Sequence, residues 1–184
     1  MKYLETGEYE IILEHTKIVP FSKEYNLEEF NCGEEDYNLF LVNDAEYYIS
    51  NGISSVHLLI HKDTESIIGY FALLADAFLL DKDEKERLKL DIPFSSVPAM
   101  KIGKLAVSIE HQEYHYGSYL LYMALGYAAK LELNGIACRF LTVDADIEFR
   151  EDTPRFYESN GFVRNQHKQQ KRKKSVSMRY DLFE

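Results

Sequence analysis

Cysteine is scarce in this 184-residue sequence, and the two present, Cys32 and Cys138, lie far apart with no C-x-x-C spacing. That argues against a disulfide frame or a zinc site and leaves two reduced core thiols as the expectation. No run of about 18 or more apolar residues occurs, and no basic stretch leads into an apolar one at the amino end. Neither membrane insertion nor export is indicated, so a cytoplasmic chain is expected. Repeats and low-complexity linkers are missing too. With 46% hydrophobic and 14% aromatic residues the chain has material for one sizeable core, and residues 1–184 read as a single domain. Cations are also in short supply: 21 Lys and Arg stand against 31 Asp and Glu. Their distribution is uneven. Residues 1–163 carry 14 against 29, whereas residues 164–184 carry 7 against 2. An acidic body repels a nucleic acid laid broadly over it, so any anionic partner should be gripped locally.

What is there alternates between strand and helix patterns. A first strand is expected around Ile11, Ile12 and Leu13, followed by helical spacing in "EEDYNLFLVNDAEYYI". "SVHLLIH" and "SIIGYFALLADAFLL" read as paired strands, the second a central one because it is nearly all apolar. "KDEKERLKL" reads as a short helix or surface excursion. Leu120, Met123, Ala124, Tyr127, Ala128 and Leu131 then trace a helix that ends at Asn134-Gly135. After it come the strand "CRFLTVDA", a helix opened by Thr153-Pro154 and closed by Asn160-Gly161, and a last strand, "SVSMRYDLF".

Two stretches carry chemistry. In "AMKIGKLAVS" the apolar parity of Met100 and Ile102 passes to Leu105 and Val107. A bulge at Gly103-Lys104 would cause that shift and would open main-chain groups to another molecule; burial of both faces would explain it as well. "HQEYHYGSYLLYMALG" then runs into the long helix. Unpartnered N–H groups and the helix dipole at such a start favour an anion, and a diphosphate fits. Gly117 permits close approach or a positive φ, Ser118 adds a hydroxyl, and Gln112 can fix the loop. His111 and His115 precede the helix and lack a third ligand nearby, so no metal is expected.

The order "IIGYF", "KLAVSIEHQEYHYGSYLL", "RFYESNGF" resembles the GNAT superfamily of acetyl-coenzyme A (acetyl-CoA) dependent N-acetyltransferases. Gln112 and Gly117 fit its loop motif, with His115 where a glycine is usual, and Phe156, Tyr157, Gly161 and Phe162 match its F-Y-x-x-x-G-F element. "FNCGEEDYNLFLVNDA" is similar to the opening of the branch that contains the toxins of toxin-antitoxin modules, which acetylate aminoacyl-tRNA. Phe30, Cys32, Gly33, Asn38, Phe40 and Leu41 match, and Tyr37 replaces a leucine. The chain departs from that branch in its acidity and in the stretch from Asp144 to Phe156, which is about three residues longer than the family's common spacing.

The resemblance implies an α/β GNAT fold: a mixed central sheet of about six to seven strands, flanking helices, and a bulged strand at the acetyl-CoA site. It implies acetyl transfer to a primary amine by direct attack. Acetyl-CoA would lie against Leu105, Ala106 and Val107 and against the loop Gln112, Glu113, Tyr114, His115, Tyr116, Gly117 and Ser118, with Tyr157 as proton donor to the departing thiolate. A phenol near pKa ~10 gives its proton to a thiolate near ~8.5 only in part or in concert. The general base is unassigned among Glu110, Asp144 and Asp76. Lys171, Arg172, Lys173 and Lys174 are either a solvated hairpin turn or a grip for an acidic acceptor. The acceptor is a small-molecule, peptide or aminoacyl-tRNA amine. The resemblance admits a homodimer and, for a toxin, an antitoxin partner. A non-catalytic acyl-CoA-binding sensor is the alternative from another class.

Overall fold

The computed structural model describes residues 6–165 and 174–183. The chain begins with α1 (Thr6–His15) and β1 (Thr16–Pro20). The expected strand at Ile11–Leu13 is therefore a helix. Of the three residues only Ile12 is buried, while Ile11 is 60% and Leu13 42% exposed. Tyr9 and Ile12 pack on the core at helical spacing, and the Thr16 hydroxyl closes the helix by donating to the Ile12 carbonyl at 2.6 Å. A three-residue apolar run does not distinguish the two periods.

The helical stretch that follows is α2 (Glu35–Leu39), a π-helical turn (Phe40–Asp44) and α3 (Ala45–Ser50). Then come β2 (Ser55–His61), β3 (Ile67–Leu79), α4 (Lys82–Arg87), β4 (Ser96–Val107), α5 (Tyr116–Leu133), β5 (Phe140–Asp146), α6 (Thr153–Ser159), β6 (Val163–Arg164) and β7 (Ser175–Asp181). The sheet order is β1-β2-β3-β4-β5-β7-β6. All neighbours are antiparallel except β4 and β5. Both faces of β3 are covered, which explains its apolar run. On one face Ile68, Phe71 and Leu73 meet Leu120, Ala124 and Ala128 of α5. On the other, Tyr70 and Ala72 meet Phe40, Leu41 and Ala45 of the α2–α3 stretch. A smaller cluster of Phe78, Leu80, Val97, Ala99 and Phe140 lies under the α4 excursion. Among the described residues no helix is long and apolar enough to cross a membrane.

The bulge expected from side-chain parity is present. Ala72 pairs with Lys104 and Leu73 with Ile102, so Gly103 is the extra residue. Pairing of β4 with β5 runs from Ala99–Phe140 to Ile102–Val143 and ends there. Beyond it, Leu105–Val107 keep β3 as a neighbour, Asp144–Asp146 keep β7, and the two strands part. Gly69 keeps β3 tight against the freed segment, since a Cβ there would lie 2.7 Å from the Ala106 carbonyl oxygen and 2.9 Å from Leu120 Cδ1. Gly69→Ala should therefore lose about 1–3 kcal/mol of stability, read as a lower urea midpoint; an unchanged midpoint would show that the strands yield without cost.

Candidate active site

Where β4 and β5 part, a cavity of about 540 Å³ opens. Its walls include Leu105, Ala106 and Val107 from β4, Gln112 and Gly117 from the loop and α5, Tyr37 from α2, and Asp146, Phe149, Arg150 and Phe156 from the β5–α6 side. Main-chain groups of β4 that point away from β3 meet no strand here. At the end of the loop, the Tyr119 N–H is the first to find a helical partner, the His115 carbonyl at 3.1 Å. The N–H groups of His115, Tyr116, Gly117 and Ser118 have no main-chain partner among the described residues. An open strand edge leading to a helix start with unspent donors suits a ligand with an amide-bearing arm and an anionic end.

The positive φ belongs to His115, at 59°, and not to Gly117, which already lies in the helix. Histidine thus stands where the motif's usual glycine would have been relaxed. Its ring is exposed, with Nε2 3.8 Å from Glu8 Oε1. Tyr114 is 64% exposed, Tyr116 is edge-on to His111, and Ser118 is buried. Of the expected acetyl-CoA residues, Leu105, Ala106, Val107, Gln112 and Gly117 line the cavity, whereas Glu113, Tyr114, His115, Tyr116 and Ser118 are not among its lining residues. Burial lowers the pKa of His111.

Gln112 fixes the loop. Its Nε2 donates to the carbonyls of Cys32 at 2.9 Å and Val107 at 3.1 Å, and its Oε1 accepts from Arg150 Nη2 at 3.3 Å. The opening motif supplies the other half of this joint. Asn38 Oδ1 accepts from the Cys32 N–H at 3.0 Å, Gly33 takes φ 90° and donates to Asn31 Oδ1, and the Asn31 carbonyl accepts from the Ile109 N–H at 2.9 Å. Cys32 and Cys138 are both free and buried.

Tyr157 is 5% exposed and lies between Phe156 and Phe162, with ring centroids at 5.1 and 5.4 Å. Among the described residues nothing hydrogen-bonds its hydroxyl. Burial, and to a lesser degree the Tyr37 phenol, push its pKa far above the ordinary value. Tyr37 is a site residue that sequence reasoning passed over as a mismatch in the opening motif. It walls the cavity, burial pushes its phenol up to about 12, and Lys104 Nζ sits 4.2 Å from its ring centroid. Phe149 and Arg150 were also missed, and no sequence pattern marks them.

On the far side of Lys104 a second cavity, of about 680 Å³, is lined by Phe40, Asp44, Tyr48, Lys101, Gly103 and Asp144 among others. Asp144 accepts from Lys101 Nζ at 2.6 Å. Asp76 is taken up elsewhere, accepting from the Thr142 hydroxyl at 2.6 Å. Glu110 lies in the short 3-10 turn after β4, exposed. Lys171, Arg172 and Lys173 lie outside the described residues; Lys174 is exposed and pairs with Glu148 at 2.8 Å.

No family model matches the sequence, and no curated protein matches it. Solved structures do. AtaT complexed with acetyl-methionyl-tRNAfMet is 25% identical, with a TM-score of 0.70 over 88% of this chain and 93% of that one. A Tyr→Phe mutant of KacT is 22% identical, with a TM-score of 0.73 over 92% and 96%. AtaTR bound with AcCoA is 23% identical, with a TM-score of 0.69 over 92% and 95%. The chain has the fold of these GNAT-type toxin acetyltransferases. Its seven-stranded mixed sheet and bulged strand are what the sequence resemblance implied.

His115 gives the loop a direct test. Relief of the left-handed strain and the greater backbone freedom of glycine nearly offset each other. His115→Gly should stay within about 1 kcal/mol of the parent in urea unfolding, while His115→Val loses about 1–2 kcal/mol. A loss in the glycine variant as large as in the valine variant would show that the imidazole itself holds the loop.

Proposed function

We propose that this chain transfers an acetyl group from acetyl-CoA to a primary amine by direct attack. The observation that carries the reading is the parting of β4 and β5 beside a helix start whose N–H groups are unspent. Bound acetyl-CoA would supply the activated thioester. The chain's contribution is position and hydrogen bonding: the open edge at Leu105–Val107 orients the acyl arm, and the amides of residues 115–118 face the diphosphate. Tyr157, like any phenol, is protonated at neutral pH, and burial raises its pKa further. The matched F-Y-x-x-x-G-F element assigns it as hydrogen-bond donor toward the departing sulfur, although Phe156 and not Tyr157 is among the residues lining the cavity, and full proton transfer would have to be concerted with acyl transfer.

The larger cavity beyond Lys104 is assigned to the acceptor. Asp144 is the one of the three carboxylates considered that lines it. An α-amino group, near pKa ~7.7–8.0, is partly neutral already and needs no protein base, whereas a lysine near ~10.4 does. The aminoacyl-tRNA amine is favoured by the opening motif and by likeness to AtaT complexed with acetyl-methionyl-tRNAfMet. An antitoxin partner is supported by likeness to the AtaT mutant bound to the C-terminus of the antitoxin AtaR.

Tyr157→Phe should lower kcat by about 10²-fold or more while acetyl-CoA affinity stays within about three-fold. On the toxin reading the parent arrests growth when expressed, and the variant does not. Absence of acetyl-CoA binding by the parent defeats the proposal, and binding without transfer to any amine makes the chain a sensor.

A further inference from the structure

The stretch "HQEYHYGS" from His111 to Ser118 contains no Lys or Arg and one Glu. Glu8 faces His115, and Glu34, Asp146 and Asp152 are among the residues lining the smaller cavity. The phosphates of an acyl-CoA would enter a negative setting in which the loop offers only the partial charges of its amides. A full positive charge has to come from another element.

We infer that the segment from Ile147 to Asp152 is a strap across the donor slot, and that its Arg150 binds a phosphate of the acyl-CoA. The inference rests on the acetyl-CoA reading above. The strap is anchored on the β5 side, where the Ile147 N–H donates to the Lys174 carbonyl at 2.9 Å. At its other end the Arg150 carbonyl accepts from the Thr153 N–H at 3.1 Å and the Thr153 hydroxyl at 2.8 Å. Between these points Phe149 packs edge-on against Tyr37, with centroids 6.5 Å apart, and Arg150 reaches Gln112. These two contacts join one wall of the slot to the other.

The Arg150–Gln112 contact is asymmetric. Gln112 is pinned by two carbonyls through its amide nitrogen. Arg150 is exposed and gives one N–H to Gln112 Oε1 at 3.3 Å, the long end of the hydrogen-bond range. The guanidinium has five donors in a planar fork that matches phosphate oxygens. Its main chain is held at the start of α6 by Thr153 while its side chain reaches the loop with its donors nearly all unspent, so it trades the Gln112 oxygen for phosphate. Arg155 shares the cavity, but among the described residues nothing ties it to the loop.

The test is calorimetric binding of acetyl-CoA and of 3′-dephospho-CoA to the full chain, with Arg150→Gln and Arg150→Lys. Arg150→Gln should weaken acetyl-CoA binding about ten- to hundred-fold, as loss of a charge-assisted contact does. Its affinity should also fall less steeply with salt, the loss should appear in KM for acetyl-CoA rather than in kcat, and Arg150→Lys should recover part of it. An equal loss with 3′-dephospho-CoA assigns Arg150 to the diphosphate, and no loss with that ligand assigns it to the 3′-phosphate. Parent-like acetyl-CoA affinity in Arg150→Gln overturns the inference while leaving the acetyltransferase reading intact. Failure of the parent to bind would remove both.

Discussion

β4 cannot hydrogen-bond to β5 along its whole length and also leave an edge open to a ligand. The structure divides the strand at Gly103. Before the bulge, four residues of β4 pair in parallel with β5 and close the sheet over the small cluster around Phe140. After it, β4 holds to β3 alone, and the space given up by β5 becomes the slot. A strand with an unpaired edge is normally a hazard for misassociation. Here both faces of its neighbour β3 are covered by helices, and the open edge lies inside a cavity rather than on the rim of the sheet.

An opening of this kind needs bracing, and the amino-terminal motif provides it. Asn38 and Asn31 shape the Cys32–Gly33 turn by hydrogen bonding. The carbonyls of Asn31 and Cys32 then receive the Ile109 N–H and the Gln112 side chain. Gln112 also caps the Val107 carbonyl, joining the end of β4 to the start of the loop. Within the stretch that resembles the toxin branch, Cys32 and Asn38 thus help to hold the loop in place, while Phe30, Phe40 and Leu41 are buried against β2 and β3. Tyr37, the departure in that motif, brings a phenol to the slot wall where a leucine would bring only apolar surface.

Much of this was legible in the sequence where one local rule acted alone. The parity slip between Ile102 and Leu105 located the bulge because side-chain alternation has a fixed period. The apolar spacing from Leu120 to Leu131 and the Asn134-Gly135 stop located α5, with Gly135 at φ 76°. The short run Ile11–Leu13 misled because its burial depends on Tyr9 and the core beneath it, not on its own pattern. β6 is two residues long and carries no period. In the site, Gly117 reads as permitting close approach or a positive φ; the left-handed φ belongs to His115, while a Cβ at Gly117 would meet the Phe156 ring at 3.4 Å. The Gln112–Cys32 bond spans 80 residues, and the Phe149 and Arg150 contacts come from a connection without motif. Such contacts are set by where the strands part, and no window of sequence contains that information.

The central claim is that the freed half of β4 and the start of α5 form one ligand-binding surface. Hydrogen exchange of the backbone amides, with and without acetyl-CoA, measures it most directly. The account predicts that added protection concentrates at residues 103–107 and 115–118. Protection confined to the larger cavity around Lys101 and Asp144, or absent from both segments at saturating acetyl-CoA, would contradict it.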